Sequence, residues 1–139
     1  MEPLIEVGAH LSPLVRETGF HNWNRYAAVN DEYVPIHMDD EAGRSAGYST
    51  AFGMGNLQWA YLHNLLRSWM GETGEIVEIS CQFRSPNLKG QTVTAHGIVT
   101  GFTEEGSRRV VDLDVWTEDQ DGNKLAPGKA KVAFPLPSR

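Results

Sequence analysis

The chain has a single cysteine, Cys81, in 139 residues, which excludes an internal disulfide and a cysteine-based zinc site. It also lacks a basic surplus, since 18 acidic side chains stand against 12 Lys and Arg and the formal charge is −6. A phosphate backbone demands the opposite balance on one face, so no nucleic-acid partner is expected. No apolar run approaches the roughly 18 residues that a membrane span needs, so no membrane partner is expected either. The opening Met1-Glu2-Pro3-Leu4-Ile5-Glu6 has neither the basic nor the apolar region of a secretory signal. A cytoplasmic location is the expectation. Apolar residues are in ordinary supply, at 40% hydrophobic and 22% charged, as globular chains require. Against a prior of about 150 residues per domain, residues 1–139 are expected to form one domain.

Up to about residue 52 the chain is rich in turn formers, with Pro3, Gly8, Pro13 and Gly19 as punctuation. A short helix is predicted over 22–30, capped by Asn22, with Trp23, Tyr26, Ala27 and Val29 on its apolar side. The clearest helix is predicted over 53–70. Leu57, Tyr61 and Leu65 recur every four residues, Leu62, Leu66, Trp69 and Met70 widen the stripe, and Gly71 and Gly74 end it. A helix this apolar needs wrapping rather than cover on one side.

Beyond Gly74 the period falls to two. Val77, Ile79, Cys81 and Phe83 alternate with polar residues over 76–84. Further strands are predicted over 92–101, 108–117 and 129–134, with Val93, Ala95 and Val99, then Val111, Leu113 and Val115, then Ala130, Val132 and Phe134 inward. Two short connections, 103–106 and 119–123, imply antiparallel neighbours. A buried helix followed by an antiparallel meander is an α+β architecture. Four strands, joined by one from the N-terminal third and curled round the helix, would be a hotdog fold; pattern alone leaves this one candidate among several.

Candidate chemistry gathers before the long helix. His37 has Glu32 five residues upstream and Asp39 and Asp40 just after it. A histidine beside a carboxylate suits acid–base work near neutrality, and a satisfied loop histidine is the alternative reading. The acidic group at Asp31, Glu32, Asp39, Asp40 and Glu41 lacks the ligand spacing of a calcium loop and reads as a solvated face, so no metal is expected. Ala51-Phe52-Gly53-Met54-Gly55 enters the helix where backbone N–H groups lack partners. Gly53 would let a ligand oxygen approach closely, or would simply serve packing. Cys81, inward on a strand, reads as a small apolar residue.

Taken together, these segments resemble the MaoC-like dehydratase family, which includes (R)-specific enoyl-CoA hydratases. Glu32-Tyr33-Val34-Pro35-Ile36-His37-Met38-Asp39 falls in the frame of the family motif Asp-x-Asn-Pro-x-His-x-Asp. Phe52-Gly53-Met54 matches the helix-entry His-Gly-Met, and Phe83 to Val93 and Gly122 to Ala130 resemble the strand and hairpin signatures that follow. Three positions depart from the pattern: Glu32 for Asp, Val34 for Asn and Phe52 for His. The segment from His37 to Gly53 is also about two residues shorter than in many bacterial homodimeric members. Such compact versions resemble the small subunits of actinobacterial steroid side-chain hydratases.

The resemblance implies a hotdog fold and a hydro-lyase that hydrates an enoyl-CoA, with Glu32 and His37 holding the water and the Gly53 N–H receiving the thioester oxygen. Tyr33, Val34, Phe52 and Met54 would flank the substrate. An acidic protein that binds coenzyme A needs a local basic rim, for which Arg84, Lys89, Lys129 and Lys131 are candidates, with Arg108 and Arg109 behind them. Coenzyme A enters only as part of the substrate, and no metal or redox cofactor is called for. The chain is expected as a homodimer or paired with a second MaoC-like chain. Two alternatives stand beside this reading: a non-catalytic hotdog subunit, and a hotdog thioesterase. The second is disfavoured because residues 53–70 contain no Asp or Glu.

Overall fold

The computed structural model of the chain describes residues 2–137. Five strands form one antiparallel sheet in the order β1-β3-β4-β5-β2. They are β1 (Leu14–Glu17), β2 (Glu75–Cys81), β3 (Thr92–Glu105), β4 (Arg108–Glu118) and β5 (Lys124–Pro135). Three helices accompany them: α1 (Phe20–Asn30), α2 (Asp40–Ser45) and the long α3 (Gly55–Met70), with a 3-10 turn at Pro35–His37. The sheet curls round α3, and this is the hotdog fold of the α+β class. No helix among the described residues is long and apolar enough to cross a membrane.

The period-two residues of β3, β4 and β5 meet the apolar stripe of α3 as expected. Val93, Ala95, Val99, Val111, Leu113, Val115, Ala130, Val132 and Phe134 are all at most 3% exposed, as are Leu62, Leu65 and Leu66 of the helix. Gly97 lies in the same inward row of β3; a Cβ there would come within 3.0 Å of Leu11 and 3.4 Å of Leu65. The missing side chain lets helix and sheet close up.

Helix α1 begins at Phe20, and Asn22 is its third residue rather than its cap; the Asn22 side chain reaches back to accept from the Gly19 N–H at 3.0 Å. Trp23 and Ala27, one turn apart, are buried, but Val29 lies off that line and is 84% exposed. In β2 the register slips between Ile76 and Glu78, leaving Val77 as the extra residue of a bulge. Ile76, Ile79 and Cys81 therefore face inward, whereas Val77 is 43% exposed. Strand β5 starts at Lys124, five residues earlier than expected, despite Pro127. The Pro127 carbonyl accepts from Gln82 N–H just past the end of β2. Its missing donor faces that same side, so no bond to β4 is lost.

Candidate active site

The entry to α3 is held by the 82–91 loop and by the turn at Ile36. The Phe52 N–H donates to Ile36 O at 3.0 Å, the Lys89 N–H to Ala51 O at 3.2 Å and the Gly53 N–H to Asn87 O at 2.7 Å. Asn87 is buried, and its amide donates to Thr18 Oγ1 at 2.9 Å. A Cβ on Gly53 would sit 2.6 Å from Trp23 Nε1, so only glycine fits beside the indole. Helix α3 then starts at Gly55, two residues later than expected.

His37 closes the 3-10 turn, and its Nδ1 lies 2.6 Å from Phe52 O. A carbonyl oxygen only accepts, so the hydrogen resides on Nδ1 and the neutral ring presents Nε2 as an acceptor. The Phe52 ring packs edge-on to the imidazole at 5.6 Å between centroids and to Tyr48 at 4.9 Å. His37, Tyr48, Phe52, Gly53, Gly55 and Gln58 line a cleft of about 250 Å³, completed by Phe83, Arg84, Ser85 and Pro86.

The segment that carries His37 is tied down by charge. Asp39 caps α2 by accepting from the Ala42 N–H at 3.1 Å. Asp40 accepts from Lys89 Nζ and from the Ala51 N–H. The Lys89 bond, then the Ala51 N–H, hold the Asp40 carboxyl below the ordinary aspartate range. Burial pushes the Cys81 thiol up, which fits a packed sulfur and not a nucleophile.

Residues 12–120 match the MaoC like domain. The chain belongs to the MaoC-like dehydratase family. No curated protein matches it in sequence. Among solved structures it is similar to the (R)-hydratase of A. caviae involved in PHA biosynthesis, at 25% identity and a TM-score of 0.82, over 95% of this chain and 97% of that one. The ChsH1–ChsH2 complex of Mycobacterium tuberculosis gives 18% identity and a TM-score of 0.82, over 94% and 99%. The HadBC (3R-hydroxyacyl-ACP dehydratase) complex of the same organism gives 16% and 0.69, over 96% and 99%. The last two likenesses are of fold alone.

In this MaoC-like chain the structure brings His37, Phe52, Gly53 and Arg84 to one cleft and leaves other expected site residues outside its lining. Gly53 is present, but its N–H already donates to Asn87. The N–H groups of Met54, Gly55 and Asn56 have no protein acceptor among the described residues. Glu32 follows the left-handed Asp31 (φ 53°) and is exposed. Tyr33 is 57% exposed, Val34 is half-buried, and Met54 lies in the core instead. Lys89 is no phosphate ligand as placed: it pairs with Asp40 and lies 4.6 Å from the Phe20 ring centroid. Lys129 pairs with Asp114 at 3.0 Å yet stays largely exposed. It lines a second surface cavity, of about 610 Å³, that shares Arg84 with the first.

Sequence reasoning missed Gln58, Tyr48 and Phe83. Gln58 did leave a signal, because it lies four residues before Leu62 and seven before Leu65, a polar residue on the buried stripe. Phe83 keeps the inward parity of β2 but runs past the sheet and covers Gly55, where a Cβ would meet its ring at 2.8 Å. Tyr48 left none.

Proposed function

We propose that this MaoC-like chain adds water across the 2,3 double bond of an enoyl thioester, or removes it in the reverse direction. His37 carries the reading. Its Nδ1–H is fixed on a backbone carbonyl, so that in the neutral ring Nε2 is the acceptor, on a side chain that lines the cleft, the form a general base needs. Water on Nε2 attacks C3 as its proton passes to the imidazole, the electron pair moves onto the thioester oxygen, and a proton returned from the imidazolium to C2 as the enolate collapses completes the addition and restores the neutral ring. N–H groups at the α3 entry would stabilise that oxygen, each by roughly 3–4 kcal/mol. Glu32, on the same loop and exposed, is proposed as the second acid–base group. Arg84, with Lys124 and Lys129 in the adjoining cavity, is proposed to meet the phosphates of coenzyme A.

A second hotdog chain, identical or not, completes this proposal. The cleft of about 250 Å³ is smaller than the roughly 300–1,000 Å³ of typical small-molecule sites. It suits a thioester and its alkene better than a long acyl chain. Strands β1 and β2 are also the outer strands of the sheet among the described residues, with no further strand paired to them. A second reading makes this chain the non-catalytic member of such a pair, favoured by the exposure of Glu32 and the engaged Gly53 N–H.

Purified protein incubated with crotonyl-CoA and with longer and bulkier enoyl-CoAs separates these readings. Loss of enone absorbance without free thiol is expected. Release of thiol would mean hydrolysis instead, and no change with any substrate would move the chemistry to a partner chain. Sedimentation should show a dimer or larger; a monodisperse species of about 15 kDa at micromolar concentration would contradict the pairing.

A further inference from the structure

We infer that the side-chain amide of Gln58 is a hydrogen-bond donor to the substrate's carbonyl oxygen; the identity of that substrate rests on the hydration reading above. Gln58 stands in the first turns of α3 and is 2% exposed. Its Oε1 accepts from the Thr117 hydroxyl at 2.6 Å, and Thr117 is fully buried on β4. A polar pair in an otherwise apolar layer between helix and sheet is costly unless its bonds are made. Only one end of this amide is satisfied. The nitrogen has no acceptor among the described residues, and it is not one of the sealed, unpartnered atoms there, which are Trp23 Nε1 and Arg109 Nε. Gln58 lines the cleft with His37, Gly53 and Gly55, so the unengaged end opens on that space.

The arrangement behaves as a fixed donor. The strand-anchored hydroxyl holds the oxygen end, which turns the NH2 end away from β4 and toward the cleft. A neutral amide held this way favours a neutral or developing negative oxygen and repels a cation. It also answers a local deficit. Gly53, the expected backbone donor, already bonds Asn87, so a side-chain donor one turn further along α3 acts beside the free N–H groups of the helix start in its place.

The test uses 4-(dimethylamino)cinnamoyl-CoA, whose absorbance moves to the red when its carbonyl oxygen receives hydrogen bonds, and it requires no turnover. With the whole protein, in whatever assembly it adopts, bound probe should be red-shifted. Gln58→Leu should lose most of the shift and His37→Ala should retain it. Gln58→Glu should lose it at neutral pH and recover it as the pH falls and the carboxyl gains a donor proton. On crotonyl-CoA, Gln58→Leu should lower kcat by about 10²–10³-fold with a much smaller change in KM. Circular dichroism melts check folding. If Gln58→Leu does not fold, Thr117→Val, which lets the amide turn, is read the same way, with partial loss of the shift expected. An equal shift in wild type and variant, or none at millimolar probe, overturns the proposal. A shift that depends on Gln58 in a protein that hydrates nothing upholds the donor and overturns the hydration reading instead.

Discussion

The sheet and α3 are joined by burial, whereas the segment from Asp31 to Gly53, which carries His37, buries Ala51 but is otherwise held mainly by separate polar bonds. On the first side stand rows of Val, Leu and Ala at 0–4% exposure, facing Leu62, Leu65 and Leu66. On the second stand the Asp40–Lys89 pair, the Asp40–Ala51 and His37–Phe52 bonds, and three backbone links to Ile36, Asn87 and Lys89. A fully buried leucine contributes several kcal/mol through packing, and a single hydrogen bond about 0.5–1.5 kcal/mol net. Stability should therefore reside in the sandwich and site geometry in the segment. The two can be broken separately.

Leu62→Ala gives the largest stability effect. Denaturant unfolding should show a loss of about 2–5 kcal/mol, while the molecules that stay folded keep their turnover. Asp40→Asn should do the reverse, with the fold retained and turnover lowered by about 10–10²-fold as the His37 segment shifts. If this variant unfolds as readily as Leu62→Ala, the separation fails.

The same carboxylate sets an acid limit. Its pKa is depressed on folding, chiefly by the Lys89 bond and then by the Ala51 N–H. Its stabilising contribution is therefore complete above the unfolded value of about 3.9 and is lost as the pH falls through the lower folded value. Melting followed below about pH 5 should drop in the wild type and drop less steeply in Asp40→Asn. Arg84→Glu should have the smallest effect, raising KM for CoA thioesters about 3–10-fold and leaving short thioesters without the nucleotide unchanged, as loss of a rim charge does. Lys89→Glu should impair both substrates alike, because Lys89 anchors the segment through Asp40 instead of meeting phosphate.

How much could be read from the sequence divides along the same line. Burial writes a local pattern, so the period-two runs of β3 and β4 and the apolar stripe of α3 were legible before any contact was known. Where a strand hid, as at Lys124, or a residue slipped face, as at Val77, the cause was a partner strand's register that no local window contains. Long-range bonds write no pattern at all. His37 was legible by its type and by its place in a motif. The engagement of the Gly53 N–H was not, because its acceptor, Asn87, lies 34 positions away. Lys89 looked like a free cation for the same reason, its Asp40 partner being 49 residues distant. Gln58 stood between, a polar residue on a buried stripe whose Thr117 partner only the fold reveals.

The imidazole held on Phe52 O is the proposed base of the hydration reaction, and one comparison tests that role most directly. The measurement is kcat/KM of His37→Ala against wild type on an enoyl-CoA, followed by loss of enone absorbance in the fully assembled protein. Glu32→Gln is run alongside it. For His37→Ala, kcat/KM should fall by about 10²–10⁴-fold, with an unfolding midpoint close to that of the wild type. Turnover equal to wild type in an unmixed His37→Ala preparation would contradict that role, and the chemistry would then belong to another chain.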